Sequence, residues 1–220
     1  MDDEHGRYWS RVASAYDAVV DRQIGGRTRE LVRERLARED RLGDAAEFAC
    51  GTGYFTGVLA GRAERLIATD LSPGMLEIAR QRVRAANVSF GVEDCQETSF
   101  AAHSFDTAFM SLVIHFVEPE RALREMHRIL KPGGALIVAN LDMHALSGAE
   151  RARAWLRVVF RGATGYRAKP PGNFGRNLRS RAELCALLAE GGFSVAGEEL
   201  VRDTRRRSNI PVDYLKAIAQ

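Results

Sequence analysis

The sequence predicts an α/β fold in which helices cover both faces of a mostly parallel, seven-stranded sheet. From residue 45 onward, short apolar runs alternate with segments of helical periodicity. A glycine turn, Gly51-Thr52-Gly53, follows the first apolar run, and Ser72-Pro73 follows the second. Strands that alternate with helices in this way are typical of βαβ units, whose strands pair in parallel.

Each element is predicted from its own local pattern. Leu31, Val32 and Leu36 recur at helical spacing among charged residues, which indicates a helix. Ser72 is a preferred helix cap, and Pro73 is a preferred first helical residue. The predicted strands are 45–50, 65–70, 88–92, 105–112, 135–140, 193–201 and 211–218, the last of which also fits a helix. The predicted helices are 10–22, 27–38, a segment from the glycine turn to about residue 61, 72–85, 119–130, 145–162 and 180–190, with a sharp turn at 131–134 and irregular structure at 163–179.

The composition is that of an ordinary globular protein. Hydrophobic residues make up 45% and charged residues 28% of the 220 residues, and no apolar run has the length of a membrane span. The polar, acidic N-terminus does not fit a signal peptide. The three cysteines, Cys50, Cys95 and Cys185, are far apart, which argues against a disulfide framework or a zinc site. We therefore expect a cytoplasmic protein with no membrane contact and no bound metal.

A nucleotide-type site is predicted where the first strand meets the glycine turn. Glycines allow a tight turn and a close approach of the backbone to a ligand, and the next helix directs its free N–H groups at that ligand. Asp70, at the end of the second strand, can accept hydrogen bonds from both hydroxyls of a ribose. Sites for dinucleotides and sites for S-adenosylmethionine both use such a turn and such an acid. The dinucleotide fingerprint needs Gly or Ala where this chain has Thr56, which favours S-adenosylmethionine.

An ordered set of segments resembles the class I S-adenosylmethionine-dependent methyltransferases. The resemblance is to the small-molecule branch that includes ubiquinone and menaquinone biosynthesis enzymes, and it covers residues 12–140 well, with Ala49 in place of a usual glycine. It implies a Rossmann-like doubly wound sheet, an N-terminal helical lid and S-adenosylmethionine as the cofactor. The matching segments are EFACGTGYFT (47–56), TDLSPGMLEIAR (69–80), Asp94-Cys95, SFDTAFMSLVIHFV (104–117), RILKPGGALIV (128–138) and Tyr16-Asp17.

The resemblance also implies a role for the matching residues. Those that line the methionine end of the cofactor are Glu47, Ala49, Gly51, Gly53 and, through its backbone carbonyl, Met110. Those at the nucleoside end are Asp70 on the ribose, Leu71 and Met75 beside the adenine ring, and Asp94 and the backbone N–H of Cys95 on the adenine edge. Tyr16 belongs to the lid and is expected to close over the cofactor.

The acceptor side is predicted from its place in the sheet. Ligand crevices in such sheets lie at the carboxyl ends of the strands, and a base is needed only when the acceptor must lose a proton. His115 follows the fourth strand and His144 the fifth, so they are the first and second candidate catalytic residues, and each also fits a packing role. Residues 161–182 carry six basic residues and no acid, where this family commonly builds its acceptor pocket. The candidate substrate-binding residues are Tyr166, Phe174, Arg176 and Arg179.

The predicted function is methyl transfer from S-adenosylmethionine to a small-molecule acceptor, in the biosynthesis of a secondary metabolite or a quinone-like compound. The net charge of +3 is too small to indicate nucleic acid, and the fourth strand lacks the [DN]PP[FY] signature of base methylation. An RNA or other nucleic-acid methyltransferase and a non-catalytic S-adenosylmethionine-binding protein stay open as alternatives. One domain is expected over 1–220, with a lid at 1–40, a cofactor-binding half at 41–140 and an acceptor-side half at 141–220.

Overall fold

The computed structural model describes residues 3–154, 156, 178–205 and 209–220. Within these ranges the sheet has seven strands in the order β3-β2-β1-β4-β5-β7-β6. The strands are β1 (Gly43–Phe48), β2 (Ala63–Asp70), β3 (Val88–Val92), β4 (Phe105–Ser111), β5 (Leu130–Leu141), β6 (Phe193–Val201) and β7 (Val212–Ala219). The first five pair in parallel, and β7 is antiparallel to both of its neighbours. The predicted α/β fold is confirmed, and the last segment is a strand.

Helices cover the sheet on both faces. They are α1 (Asp3–Val12), α2 (Tyr16–Val20), α3 (Gly26–Leu36), α4 (Thr56–Ala60), α5 (Pro73–Arg82), α6 (Pro119–Ile129), α7 (residues 148–154, its described part) and α8 (Arg181–Glu190). The predicted cap of α5 is confirmed, because the Ser72 hydroxyl accepts a hydrogen bond from the backbone N–H of Met75 at 3.1 Å. In the described ranges, no helix is long and apolar enough to cross a membrane.

The N-terminal helices differ from the prediction of one helix over 10–22. Helix α1 already begins at Asp3, and the chain then passes through a short 3-10 turn, α2 and a π turn before α3. Small residues let α1 lie close to the start of α5. A Cβ atom on Gly6 would lie 2.8 Å from the Leu71 carbonyl oxygen, and one on Gly74 would lie 2.9 Å from Ser10. This docking places α1 over the carboxyl ends of the strands.

The start of β5 is a second difference. The sequence predicts a sharp turn at 131–134 and a strand over 135–140, whereas strand pairing starts at Leu130, opposite Phe105 of β4. A shift in register follows before Thr107 pairs with Ala135. Pairing with β4 therefore extends β5 across Gly133 and Gly134. The local sequence does not specify this pairing, because it depends on a distant strand.

The core lies on both faces of the sheet. Phe109 and Met110 are neighbours on β4 and point to opposite faces, as successive strand residues must. Phe109 packs in the cluster that contains Leu36 of α3 and Leu59 of α4. Met110 packs in the cluster that contains Leu123 of α6. Two apolar faces are typical of a parallel sheet that helices cover on each side.

A buried carboxylate joins the end of α3 to β7. Glu39 is 4% exposed. It accepts hydrogen bonds from the Arg35 guanidinium at 2.6 Å, the Tyr214 hydroxyl at 3.0 Å and the Lys216 ammonium at 2.8 Å. Burial alone would raise the pKa of Glu39, but the bonds from Lys216, Tyr214 and Arg35 outweigh it and lower that pKa. The carboxylate is therefore ionised and stabilises the packing of α3 on β7.

Replacing Glu39 by alanine is expected to lower the free energy of unfolding by about 2–3 kcal/mol, because the Tyr214 hydroxyl loses its charged acceptor. Urea denaturation measures the change. Glu34→Ala, which removes an exposed ion pair with Arg27, is the control and is expected to cost less than about 1 kcal/mol. The contribution of Glu39 is complete above the ordinary pKa of 4.5 and disappears as pH falls through the lowered native pKa. Equal losses in the two variants would contradict this role.

Candidate functional site

A cavity of about 760 Å³ opens at the carboxyl ends of the parallel strands. Its wall includes Gly51 after β1, Asp70 at the end of β2 and Leu112 after β4. The strand order reverses between β1 and β4, and ligands in open α/β sheets bind in the crevice at such a switch point. The cavity therefore lies where the fold itself favours a ligand site.

The glycine turn forms the floor of this cavity with an unusual backbone. Gly51 and Gly53 have φ values of +56° and +77°, which glycine adopts without steric cost. Ala49, at the position of the family's usual glycine, also has a positive φ of +52°. An alanine in this conformation is strained by about 1 kcal/mol or more. The turn therefore forms with Ala49 in place of glycine, but with a loss of stability. A Cβ atom on Gly53 would lie 3.1 Å from Ala79, so α5 packs directly against the turn.

Asp70 holds the turn and also faces the cavity. Its carboxylate accepts hydrogen bonds from the backbone N–H groups of Gly51 at 2.8 Å and Ser72 at 2.9 Å, one on each oxygen. Each carboxylate oxygen has a further lone pair for a ligand hydroxyl. Burial raises the pKa of Asp70 to about 6, with the two backbone hydrogen bonds opposing the rise. Asp70 is thus mostly ionised at neutral pH and able to accept hydrogen bonds from a diol.

Glu47 lies behind the turn and is absent from the cavity wall. It is 1% exposed, and its carboxyl accepts a hydrogen bond from the Thr56 hydroxyl at 2.6 Å. Burial raises the pKa of Glu47 to about 8, and the charge of Asp70 adds to this. Thr56 therefore has a structural partner at the position where a dinucleotide site needs a small residue.

Carboxylates dominate the charge of the cavity wall. Among the lining residues that the structure describes are five acids and one arginine, which are Asp70, Glu93, Asp94, Glu97, Glu118 and Arg121. Arg121 pairs with Glu97, so the remaining acids leave the wall negative. A negative wall attracts a cationic ligand and repels a pyrophosphate. The electrostatics therefore agree with a sulfonium cofactor and disagree with a dinucleotide.

Aromatic side chains from the N-terminal helices cover the cavity. Trp9 and Tyr16 line it together with Phe116, which follows β4. The Trp9 ring lies edge-on to both, with centroids 5.0 Å from Phe116 and 6.0 Å from Tyr16. Burial raises the pKa of Tyr16 to about 12, so its phenol is neutral. These rings give the part of the cavity beside Tyr16 an aromatic wall.

Most of the predicted cofactor residues meet in this cavity. Those in its wall are Tyr16, Ala49, Gly51, Asp70, Leu71, Met75, Asp94 and Cys95. Three others lie behind it: Glu47, Gly53 and Met110, the last fully buried in β4. Sequence reasoning missed His5, Trp9 and Phe116. The adjacent aromatic residues Tyr8 and Trp9 in an otherwise polar N-terminal segment were the available signal.

Of the predicted catalytic and substrate residues, the three that the structure describes, His115, His144 and Arg179, are not in the cavity wall. His115 is 2% exposed, and its ring lies 4.2 Å from that of the wall residue Phe116. His144 is exposed beyond β5, where its backbone N–H donates to Asp142. Arg179 is half-buried, and its carbonyl accepts a hydrogen bond from the Asn140 amide at 3.3 Å. Tyr166, Phe174 and Arg176 lie outside the described residues.

The protein has a Rossmann-like fold, with the strand order, the crevice and the glycine turn of that fold. Comparisons with known proteins show which proteins of this fold the chain resembles. Residues 46–138 match the family described as a methyltransferase domain. The chain is 34% identical over 153 residues to the malonyl-[acyl-carrier protein] O-methyltransferase of Serratia marcescens, which is 68% of this chain and 56% of that protein. It is 34% identical over 143 residues to the demethylmenaquinone methyltransferase of Paenarthrobacter aurescens, covering 64% of this chain and 56% of the relative.

A solved structure extends the likeness to nearly the whole chain. It is an S-adenosylmethionine-dependent methyltransferase of Thermotoga maritima, described as a possible histamine N-methyltransferase. It has a TM-score of 0.67 and 27% identity, and the match covers 97% of this chain and 99% of that chain. By contrast, the chain spans only about half the length of the two curated relatives. The chain is therefore similar to methyltransferases, in sequence over residues 46–138 and in fold over nearly its whole length.

Proposed function

We propose that this chain binds S-adenosylmethionine in the cavity and transfers its methyl group to a small-molecule acceptor. The observation that carries the proposal is the negative wall around Asp70 at the switch point of the sheet. The relatives named demethylmenaquinone methyltransferase and malonyl-[acyl-carrier protein] O-methyltransferase support a biosynthetic role, on a quinone-like compound or another secondary metabolite. The three cysteines are free thiols, in keeping with a cytoplasmic protein.

The wall residues supply a donor and acceptor set that suits this cofactor. Asp70 and Asp94 would accept hydrogen bonds from the ribose hydroxyls and the adenine amino group, and the Cys95 backbone N–H would donate to the ring. Leu71 and Met75 would flank the adenine with apolar surface. The turn, with Glu47 behind it and the Met110 carbonyl beside it, would receive the methionine end. S-adenosylmethionine, when bound, supplies a methyl group already activated by a positively charged sulfur.

The contribution of the protein to the reaction is then chiefly positioning. Transfer needs the acceptor atom, methyl carbon and sulfur in line, and holding them so supplies much of the rate. Trp9, Tyr16 and Phe116 line the cavity and would limit the access of water to a bound cofactor. His115 or His144 would take a proton from an acceptor that must lose one. Tyr166, Phe174, Arg176 and Arg179 would bind the acceptor, with arginine suited to a carboxylate.

Isothermal calorimetry with three probes tests the cofactor part of the proposal. S-adenosylmethionine and S-adenosylhomocysteine are expected to bind at one site, and NAD is expected to release no heat of binding. The reason is that a negative wall disfavours the pyrophosphate of NAD. Binding of NAD in preference to S-adenosylmethionine would overturn the proposal.

Product analysis by mass spectrometry tests the acceptor part. Methyl transfer is measured to a panel of phenols, quinols and carboxylic acids, and to tRNA as the comparison. We expect a methylated small molecule. Methylation of tRNA alone would favour the nucleic-acid alternative. Cofactor binding without transfer to any member of either class would favour a non-catalytic binding protein.

A further inference from the structure

The carboxylate of Asp17 joins the N-terminal helices to the glycine turn. Asp17 lies on α2, next to the wall residue Tyr16. Its Oδ1 atom accepts hydrogen bonds from the Thr52 hydroxyl at 2.9 Å and from the Arg29 guanidinium at 3.0 Å. Its Oδ2 atom accepts a bond from the Arg82 guanidinium at 2.5 Å. One side chain therefore connects α2, α3, α5 and the turn.

The turn is held from α5 by the same set of contacts. Arg82, at the end of α5, also donates to the Thr52 hydroxyl at 2.9 Å. Thr52 is 2% exposed and lies between the two glycines of positive φ. Asp17, Thr52 and Arg82 thus form a closed triangle of hydrogen bonds around the middle residue of the turn. Charge-assisted bonds of this kind are about twice as strong as neutral ones.

Asp17 itself is not in the cavity wall. The wall does contain Tyr16, which precedes Asp17 in the chain, and Gly51, which precedes its partner Thr52. A Cβ atom on Gly51 would lie 3.5 Å from the Tyr16 ring, so Tyr16 packs on the turn. Burial would raise the pKa of Asp17, but the bonds from Arg82, Thr52 and Arg29 outweigh it and keep the pKa low. The triangle is therefore charged at neutral pH.

We propose that Asp17 is a positioning residue that couples closure of the N-terminal helices over the cavity to the shape of the glycine turn. It would act through Thr52 and Arg82 and would not touch the cofactor. Without it, Tyr16 and the turn would move independently, and the cofactor would bind more weakly and leave faster. This inference rests on the proposed function, because it concerns the affinity for S-adenosylmethionine.

Two matched variants test the role of Asp17. Asp17→Asn keeps the shape of the side chain and removes its charge. Asp21→Asn is the control, because Asp21 also binds Arg29, at 2.8 Å, but none of its hydrogen bonds reaches the turn in the described residues. Calorimetry and stopped-flow fluorescence give the dissociation constant and dissociation rate of S-adenosylmethionine. We expect a rise in both of about ten- to a hundredfold for Asp17→Asn and less than twofold for Asp21→Asn.

Amide hydrogen exchange separates positioning from a merely structural role. In wild type and Asp21→Asn, S-adenosylmethionine is expected to protect the amides of residues 3–20, whereas in Asp17→Asn that protection is lost. Equal affinity, dissociation rate and protection in the two variants would overturn the inference. If wild type itself binds neither S-adenosylmethionine nor S-adenosylhomocysteine, the proposed function has failed instead.

A second variant keeps the inference testable if Asp17→Asn does not fold. Thr52→Val removes the hydroxyl that Asp17 and Arg82 share and retains the shape of the side chain. It is expected to weaken cofactor binding by about tenfold. If Asp17→Asn does fold, the double variant should bind no more weakly than Asp17→Asn alone, since both changes break the same triangle. Unchanged binding in Thr52→Val, or additive effects in the double variant, would show that Asp17 does not act through the turn.

Discussion

Replacing Asp70 by alanine is expected to weaken the binding of S-adenosylmethionine by about ten- to a hundredfold. The variant loses the acceptor for the ribose hydroxyls, and hydrogen bonds to a charged group are worth roughly 1.5–3 kcal/mol. It also frees the Gly51 N–H, which Asp70 holds at 2.8 Å, so the upper part of that range is expected. Calorimetry measures the affinity, and a thermal melt checks that the domain folds. Asp44→Ala, near the amino end of β1 and absent from the cavity wall, is the control. Unchanged affinity in Asp70→Ala would remove Asp70 from the site.

The same residue gives a pH dependence with a defined sign. In the proposed site, a ribose diol would donate its hydrogen bonds to the ionised carboxylate, and burial raises the pKa of Asp70 to about 6. Affinity should therefore be constant above that value and fall about tenfold for each pH unit well below it. Asp70→Asn cannot ionise and should lose this dependence. An identical pH profile in wild type and Asp70→Asn would assign the titration to another group.

Replacing His115 by alanine is expected to lower turnover by about 10²–10⁴-fold when the acceptor is a phenol or another hydroxyl. Burial lowers the pKa of His115 to about 4, so the imidazole is neutral at pH 7 but is a weak base. A general base works best with a pKa near the working pH, so the loss is expected at the lower end of this range. Affinity for S-adenosylmethionine should stay nearly constant, since the residue lies outside the cavity wall. Steady-state kinetics and calorimetry measure the two quantities.

The control for this experiment is His127→Ala, because His127 lies on α6 away from the cavity. Its turnover should match wild type. A loss of turnover of less than threefold in His115→Ala would assign His115 to packing against Phe116. Turnover and affinity would then be measured for His144→Ala. A melting temperature for each variant distinguishes lost chemistry from a disturbed core.

The features that the sequence predicts well are those fixed by neighbours in the chain. Ser72 caps α5 because its partner, Met75, is three residues away. The glycine turn and Asp70 are recognisable because only certain residues suit that backbone and that place after a strand. Eight of the residues that the same ordered motifs predict to bind the cofactor line one cavity.

The features that the sequence leaves out come from contacts between distant segments. Trp9 reaches the cavity only because α1 folds back over the sheet and meets Phe116. The early start of β5 depends on Phe105 as its partner. The triangle around Thr52 joins residues from α2, the turn and α5, and local propensity carries no information about such a meeting. His115 shows the converse, since its place after β4 is predictable but its burial is not.

The position of β7 makes the order of synthesis matter for assembly. β7 lies between β5 and β6, although it is the last of the three to leave the ribosome. Until residues 212–219 emerge, the edge of β5 has no native partner, and β6 is already available to pair there wrongly. That edge includes Ile137 and Val138, both fully buried in the finished sheet. The newly made chain is therefore exposed to misfolding and to chaperone capture until β7 inserts between β5 and β6.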